Sequence, residues 1–164
     1  MTVLPPLLWP DPRLATPSRE VRAFDAQLRR AAEDVLESMR AAGGVGPAAG
    51  HFGLDLRLFV LELPEDPAPQ FFVNARIVET SAETARHDEG SISMPGARCE
   101  VTRPARALVR WQDLDGAGRQ AWFDGFRAAC AQHEIDQTDG VFWLQRLSRL
   151  KRDLTVKRWR KRQA

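Results

Sequence analysis

Between residues 24 and 40 the apolar side chains Phe24, Leu28, Ala31, Val35 and Met39 recur at three- and four-residue intervals. That spacing places them on one face of a helix, with Asp25 near its start and Gly43-Gly44 as its stop. Residues 56–63 (LRLFVLEL) and 71–78 are instead rich in strand-forming side chains, and the turn-rich Pro64-Glu65-Asp66-Pro67-Ala68-Pro69 between them suits an antiparallel pair. A second pair is expected from residues 105–114 and 119–123, which flank Asp115-Gly116-Ala117-Gly118. Asp124 then caps a helix to about Gln137, with Phe126, Cys130, His133 and Gln137 along one side and Gly140 as terminator. A last helix from about Ser148 is expected to bury Leu150, Leu154 and Trp159. There is no internal repeat. Strands followed by a central helix near the end predict an α+β domain.

Composition adds the scale. The chain has 164 residues, 43% of them apolar, which suits one compact domain over residues 1–164 that buries about two-thirds of its unfolded surface. No run of about 18 apolar residues predicts a membrane span, and Met1-Thr2-Val3-Leu4-Pro5-Pro6 lacks the basic flank and apolar stretch of a secretion signal, so a cytoplasmic address is expected. Two cysteines, Cys99 and Cys130, then read as reduced thiols, and packing is the expected role of Cys130. The net charge of +2 conceals an asymmetry: residues 146–164 hold nine Lys or Arg against Asp153 alone, while the rest holds 15 basic and 21 acidic groups. Two readings of this basic tail stay open, a helix drawn to a polyanion and a solvated amphipathic helix.

The densest chemistry lies at Gln132-His133-Glu134-Ile135-Asp136-Gln137. In the H-E-x-x-H pattern two histidines four residues apart leave one helix face and converge on a metal ion, while the Glu reaches a metal-bound water as general base. Here the first imidazole and the Glu are present, and Gln137 stands where the second imidazole belongs.

Two further segments give that fragment a context: Gly44-Val45-Gly46-Pro47-Ala48-Ala49-Gly50-His51 and Glu89-Gly90-Ser91-Ile92-Ser93. In order and spacing the three blocks resemble the peptide deformylase family, which reads G-[IV]-G-x-A-A-x-Q, E-G-C-L-S and H-E-x-D-H at these places. The resemblance extends over nearly the whole chain, through Asp11-Pro12-Arg13-Leu14, Pro95, Val101-x-Arg103-Pro104 and the turn at residues 113–116. It implies a deformylase-like fold, mostly antiparallel sheets around a central motif-bearing helix, with a C-terminal helix over about residues 146–164.

The resemblance also implies a chemistry. In the family a divalent iron, nickel or zinc ion, held by two histidines and a cysteine, makes bound water acidic enough to attack the formyl group of N-formylmethionyl peptides. Carried over position by position, Glu134 is the base, His51 and Ile92 take the oxyanion positions and His133 is a metal ligand. Val45, Gly46, Ile92, Arg98, Phe126, Ala129 and Cys130 take the substrate-lining positions, and Glu89 with Arg103 forms a structural ion pair. Each block departs from the family where it matters, with His51 for Gln, Ser91 for Cys and Gln137 for His. A hydroxyl that stays protonated near neutrality and an amide carbonyl are poor donors to iron, nickel or zinc. No cofactor is therefore expected beyond a weakly held divalent metal, and formyl hydrolysis is expected to be lost while binding of a peptide amino terminus is kept. The alternative is an active deformylase whose metal shell is rebuilt from His51 and His133. A Ser91–His51 nucleophile pair has no spacing rule behind it, and His87, beside Arg86 and Asp88, is expected at the surface. Formyl-Met peptides or nascent chains are the implied partners, with ribosomal contact through the basic helix and none with a membrane.

Overall fold

The computed structural model describes residues 1–164. Asp25 accepts the amides of Gln27 and Leu28 and so starts helix α1 (Ala26–Ala42), which Gly43 ends in the left-handed conformation at φ +70. Strands β1 (Leu58–Leu61) and β2 (Gln70–Thr80) form the expected antiparallel pair. Next come β3 (Thr84–Ser91) and β4 (Met94–Pro104), a hairpin that the hydropathy pattern does not announce. Strands β5 (Arg106–Gln112) and β6 (Gly118–Asp124) complete a four-stranded sheet in the order β1-β2-β5-β6, beside the separate β3–β4 pair. Helix α2 (Gly125–Thr138) leads directly from β6, and α3 (Arg149–Gln163) starts where Ser148 accepts the amide of Lys151. The α+β fold with antiparallel sheets and a C-terminal helix is as the sequence implied. No helix is long and apolar enough to cross a membrane.

Strand β1 is buried on both faces. In β1, Leu58 and Val60 join α1 in one cluster with Met39 and Phe52, while Phe59 and Leu61 join Ala128, Ala131 and Ile135 of α2 in another. Alternate side chains thus serve opposite layers, which explains an unbroken apolar run in place of an alternating one. Phe59 stacks on Phe72 at 4.6 Å in the α2 layer. A third cluster, with Leu14, Met94, Val101, Trp143 and Trp159, fixes the hairpin and α3 to the same body.

Two expectations about helices are corrected. Leu150 and Leu154 do not pack: they are 69% and 41% exposed, whereas Trp159 is buried as expected, together with Thr155, and its indole N–H donates to the Pro95 carbonyl at 2.9 Å. Asp124 precedes α2 but its side chain caps nothing.

Candidate functional site

Helix α2 owes its position to polar groups as much as to apolar ones. From Ala131 to Thr138 every residue is buried, including Gln132, His133, Glu134, Asp136, Gln137 and Thr138. Buried polar side chains survive only with partners, and successive residues of the helix find them on different elements. Gln132 donates to the Pro104 carbonyl at 3.0 Å, and Asp136 accepts Arg103 of β4 at 2.9 Å and Arg146 at 2.6 Å. His133 reaches Glu89 of β3, 2.8 Å from Nδ1 to Oε1.

Glu89 is the junction of this network. Arg103 grips its carboxylate with two bonds, Nε to Oε2 at 2.6 Å and Nη2 to Oε1 at 2.9 Å, the fork geometry that favours arginine in buried pairs. Burial alone pushes the Glu89 carboxyl upward, but the hydrogen bonds from Arg103 and His133 outweigh it and hold the pKa at about 2. His133 moves the other way: burial lowers it, and the Glu89 bond with the charge of Glu134 raises it above its ordinary value. With Nδ1 committed to Glu89, only Nε2 of His133 remains for other work.

That nitrogen faces a cavity of about 890 Å³ between α1, the β3–β4 hairpin and α2. Val45, Gly46, His51, Ser91, Ile92, Arg98, Phe126, Ala129, Cys130, His133 and Glu134 all line it. The lining also includes Val3, Leu4, Pro5 and Pro6 of the amino-terminal segment, which sequence reasoning missed. Their signal lies outside any motif, in the bond from the Leu4 amide to Ser38 Oγ of α1 at 2.8 Å. His87, expected at the surface, is half-buried on the cavity wall. Arg98 stands at the rim, tied to Asp88 at 2.7 Å. Cys130 faces the cavity as well as the core, and burial pushes its thiol up to about 12, so it stays protonated.

The glycines set the cavity's shape. A Cβ on Gly46 would lie 2.4 Å from Leu61 Cδ2, and one on Gly90 would lie 2.7 Å from the Ala97 carbonyl oxygen. Gly90 sits where the β3–β4 register shifts between Glu89 and Ser91, so the chain can carry Glu89 into the network and Ser91 to the cavity only without a side chain between them.

The three substituted positions part company. Ser91 Oγ accepts the Ser93 amide at 3.1 Å and lies 3.4 Å from His51 Nε2. His51 is 1% exposed, and its Nδ1 is held by the Ala48 backbone, 3.1 Å from the amide and 3.2 Å from the carbonyl. Burial, helped by the charge of His133, lowers its pKa to about 3, so it is neutral. Gln137 does not join the cavity: its amide nitrogen donates to the Leu14 carbonyl at 2.7 Å, and its oxygen has no partner. The stripe expected along α2 therefore breaks after His133, because the Gln137 amide is bonded to the amino-terminal segment.

Glu134 sits between the imidazoles, Oε1 3.8 Å from His133 Nε2 and Oε2 3.8 Å from His51 Nδ1, both beyond hydrogen-bond reach. It is 4% exposed and its Oε2 has no hydrogen-bond partner. Burial raises its pKa to about 7, against the pull of the His133 charge and the Ala48 amide. Nowhere do three His, Cys, Asp or Glu side chains group so that they could hold a metal ion.

With this geometry in hand, comparison with known proteins is specific. The family model described as polypeptide deformylase matches residues 4–153. A "peptide deformylase-like" protein of Brucella melitensis is 49% identical over 163 residues, 99% of either chain. A "peptide deformylase" of Brucella suis is 40% identical over 98% of this chain and 94% of its own. The crystal structure of peptide deformylase from Ehrlichia chaffeensis superimposes with a TM-score of 0.91 at 32% identity, over 99% of this chain and 98% of that one.

Proposed function

Since this chain belongs to the polypeptide deformylase family, we propose that it is a deformylase-like protein that keeps the cavity for a peptide amino terminus and has given up metal-dependent removal of a formyl group. The observation that carries this reading is the fate of the donors. Gln137 is committed to the Leu14 carbonyl and Ser91 is a neutral hydroxyl engaged with Ser93, which leaves His133 Nε2 as the one matching donor turned to the cavity. The residues present do not fit iron, nickel or zinc, since a structural zinc site needs most of a full ligand set to reach its binding free energy of about 10–16 kcal/mol. A rebuilt shell from His51 and His133 meets the same difficulty, because His51 Nδ1 is held by Ala48 and its Nε2 points at Ser91.

Without a metal, Glu134 is a base with no activated water beside it. What remains favours binding: an apolar recess of Val45, Ile92, Phe126, Ala129 and Cys130 leads to a polar floor, the usual build of a pocket for a side chain with a polar end group. Metal content of the untagged protein, measured with formate release from formyl-Met-Ala-Ser, tests the reading. Substoichiometric metal and no formate above the Glu134→Ala background is the expected result. One metal per chain with turnover abolished by Glu134→Ala overturns it.

Nascent chains in the cytoplasm are the partners this reading implies, and α3 supplies a ribosomal contact. Lys151, Lys157, Arg158 and Lys161 are exposed and take part in no ion pair of the molecule, which leaves their charge free for phosphate. Truncation is a poor test, because Arg146 and Trp159 hold the domain together. Changing Lys157, Arg158 and Lys161 to Gln should instead abolish low-salt pelleting with ribosomes; unchanged pelleting rejects the contact.

A further inference from the structure

The molecule holds a second cavity, of about 590 Å³, between the amino-terminal residues 9–15, the segment 142–145 and helix α3. It shares no lining residue with the cavity at α2, and its size is that of a site for a small molecule. Its charges are unevenly met. The two acids on its wall have cations from outside it: Asp11 accepts Arg13 at 3.0 Å and 2.7 Å, and Asp153 lies 3.9 Å from Arg149. The three bases on its wall, Arg152, Lys157 and Arg160, take part in no ion pair. Arg160 is held by a ring instead, its guanidinium carbon 5.5 Å from the centre of Trp9, which leaves its charge uncompensated. Arg152 is half-buried, so its five N–H groups are partly withdrawn from water without an acceptor from the molecule.

We propose that this second cavity binds a nucleoside diphosphate, a flat apolar body that carries two or more negative charges. Arg152, Val156 and Arg160 follow one another at four-residue intervals and share one face of α3. The two arginine positions are about 12 Å apart along the helix axis, with Lys157 between them. A single carboxylate spans too little of that row. A diphosphate can meet Lys157 together with an arginine, and the guanidinium fork pairs with phosphate through parallel N–H bonds. The body of the ligand has an apolar wall of its own, since Trp9 and Val156 are half-buried and Pro10 and Pro12 are exposed there. The edge contact of Trp9 with Trp159 at 5.9 Å sets its ring against α3, and a ring of this kind suits a nucleobase better than an extended alkyl chain. Gln145, exposed on the same wall, offers an amide to a ring heteroatom. None of these residues belongs to the first cavity, so the inference stands apart from what enters there.

Calorimetry on the full chain at low salt compares ADP, GDP and UDP with pyrophosphate, adenosine and hexaadenylate. The tightest diphosphate should bind at least tenfold more tightly than pyrophosphate or adenosine, and Arg152→Gln and Arg160→Gln should each weaken it roughly fivefold or more. Arg158→Gln and Lys161→Gln, which remove charges of α3 outside the cavity, should leave it unchanged. Pyrophosphate binding as tightly as the nucleotide overturns the role of the apolar wall, and adenosine binding as tightly overturns the role of the cations. Equal weakening by Arg158→Gln or Lys161→Gln shows a basic helix without a site and overturns the inference. Tighter binding of hexaadenylate marks a nucleic-acid surface and overturns a small-molecule ligand. Absence of nucleotide binding also overturns the inference, and leaves the reading of the first cavity untouched. Thermal unfolding checks the fold of each variant, and should an arginine variant not fold, the wild-type ligand series and the two control variants decide.

Discussion

Replacing Arg103 by methionine removes one side chain of 5% exposure and breaks three charged hydrogen bonds, two to Glu89 and one to Asp136. Breaking a buried pair by deleting one partner costs about 3–5 kcal/mol, most of it from the charge left behind. His133 remains beside Glu89 and Arg146 beside Asp136, so the low end applies. The Glu89 carboxyl gives an independent figure. It is held at about 2 in place of 4.5 by Arg103 and His133 together, and a displacement of that size corresponds to about 3 kcal/mol of native-state stabilisation, an upper bound on the Arg103 share at this carboxylate. The Arg103→Met variant should therefore lose about 3 kcal/mol in urea unfolding with an unchanged m value, and its midpoint in thermal unfolding should fall by roughly 6–12 °C. Adding Glu89→Gln to that variant should restore part of the loss, since the orphaned charge disappears. A loss below about 1 kcal/mol, or a double variant worse than the sum of the two singles, would refute the claim that Arg103 acts by neutralising Glu89.

Acid should expose the same carboxylate. A depressed folded pKa gives stability that is fully present above about pH 4.5 and lost as pH falls toward about 2, so urea midpoints between pH 5 and 2 should fall more steeply in the wild type than in Glu89→Gln; parallel curves reject it. Restoring the family's residues together, as Ser91→Cys, Gln137→His and His51→Gln, should yield one iron, nickel or zinc per chain and formate release from formyl-Met-Ala-Ser. A folded, metal-loaded triple variant without turnover shows that other positions also carry the loss. Gly46→Ala drives a Cβ to 2.4 Å from Leu61 Cδ2 and 3.0 Å from the Val60 carbonyl, and overpacking of this kind should cost about 1–3 kcal/mol in thermal unfolding; an unchanged midpoint means Leu61 yields. Trp159→Ala removes the bond to Pro95 and the edge contact with Trp9 at 5.9 Å, so the variant should lose about 3 kcal/mol and α3 amides should exchange faster in hydrogen–deuterium exchange while β1 amides hold.

What the sequence disclosed, and what it hid, follows from how each element is buried. Helix α1 has one wet face, so its 3.6-residue period is plain, and β1 is legible as a short unbroken apolar run because both its faces are covered. The β3–β4 hairpin is hidden by its own function. Of the eight residues of β3 only Glu89 is buried, and its partner is an arginine, so β3 shows no apolar alternation, and in β4 the alternation is confined to Ala97, Cys99 and Val101. Helix α3 misleads for the opposite reason: Leu150 and Leu154 form a visible stripe that faces solvent, while the packed positions are a threonine and a tryptophan. At the site, motif positions located the cavity wall, from Val45 and His51 to Glu134. They missed the wall contributed by Val3 to Pro6, which belongs to no motif, and they missed the bond of Gln137 to Leu14, 123 residues away in the chain.

The separation between scaffold and donors explains how such a chain could change its site and keep its fold. Glu89, Arg103, Asp136 and Arg146 satisfy one another, and His133 enters the network through Nδ1, so none of these bonds involves Ser91 or Gln137. Replacing a thiolate by a hydroxyl and an imidazole by an amide therefore costs the network nothing. Each newcomer found a backbone partner, Ser91 at the Ser93 amide and Gln137 at the Leu14 carbonyl. Four buried side-chain atoms still lack one: Ser93 Oγ, Glu134 Oε2, Gln137 Oε1 and Trp143 Nε1. Three belong to neutral groups, for which an unmet hydrogen bond costs about 1–3 kcal/mol, and Glu134 is the ionisable one, for which it costs more. The accommodation is thus complete at Ser91 and only half made at Gln137, whose amide nitrogen is bonded and whose oxygen is not, and Glu134 carries the one unmet atom that belongs to an ionisable group.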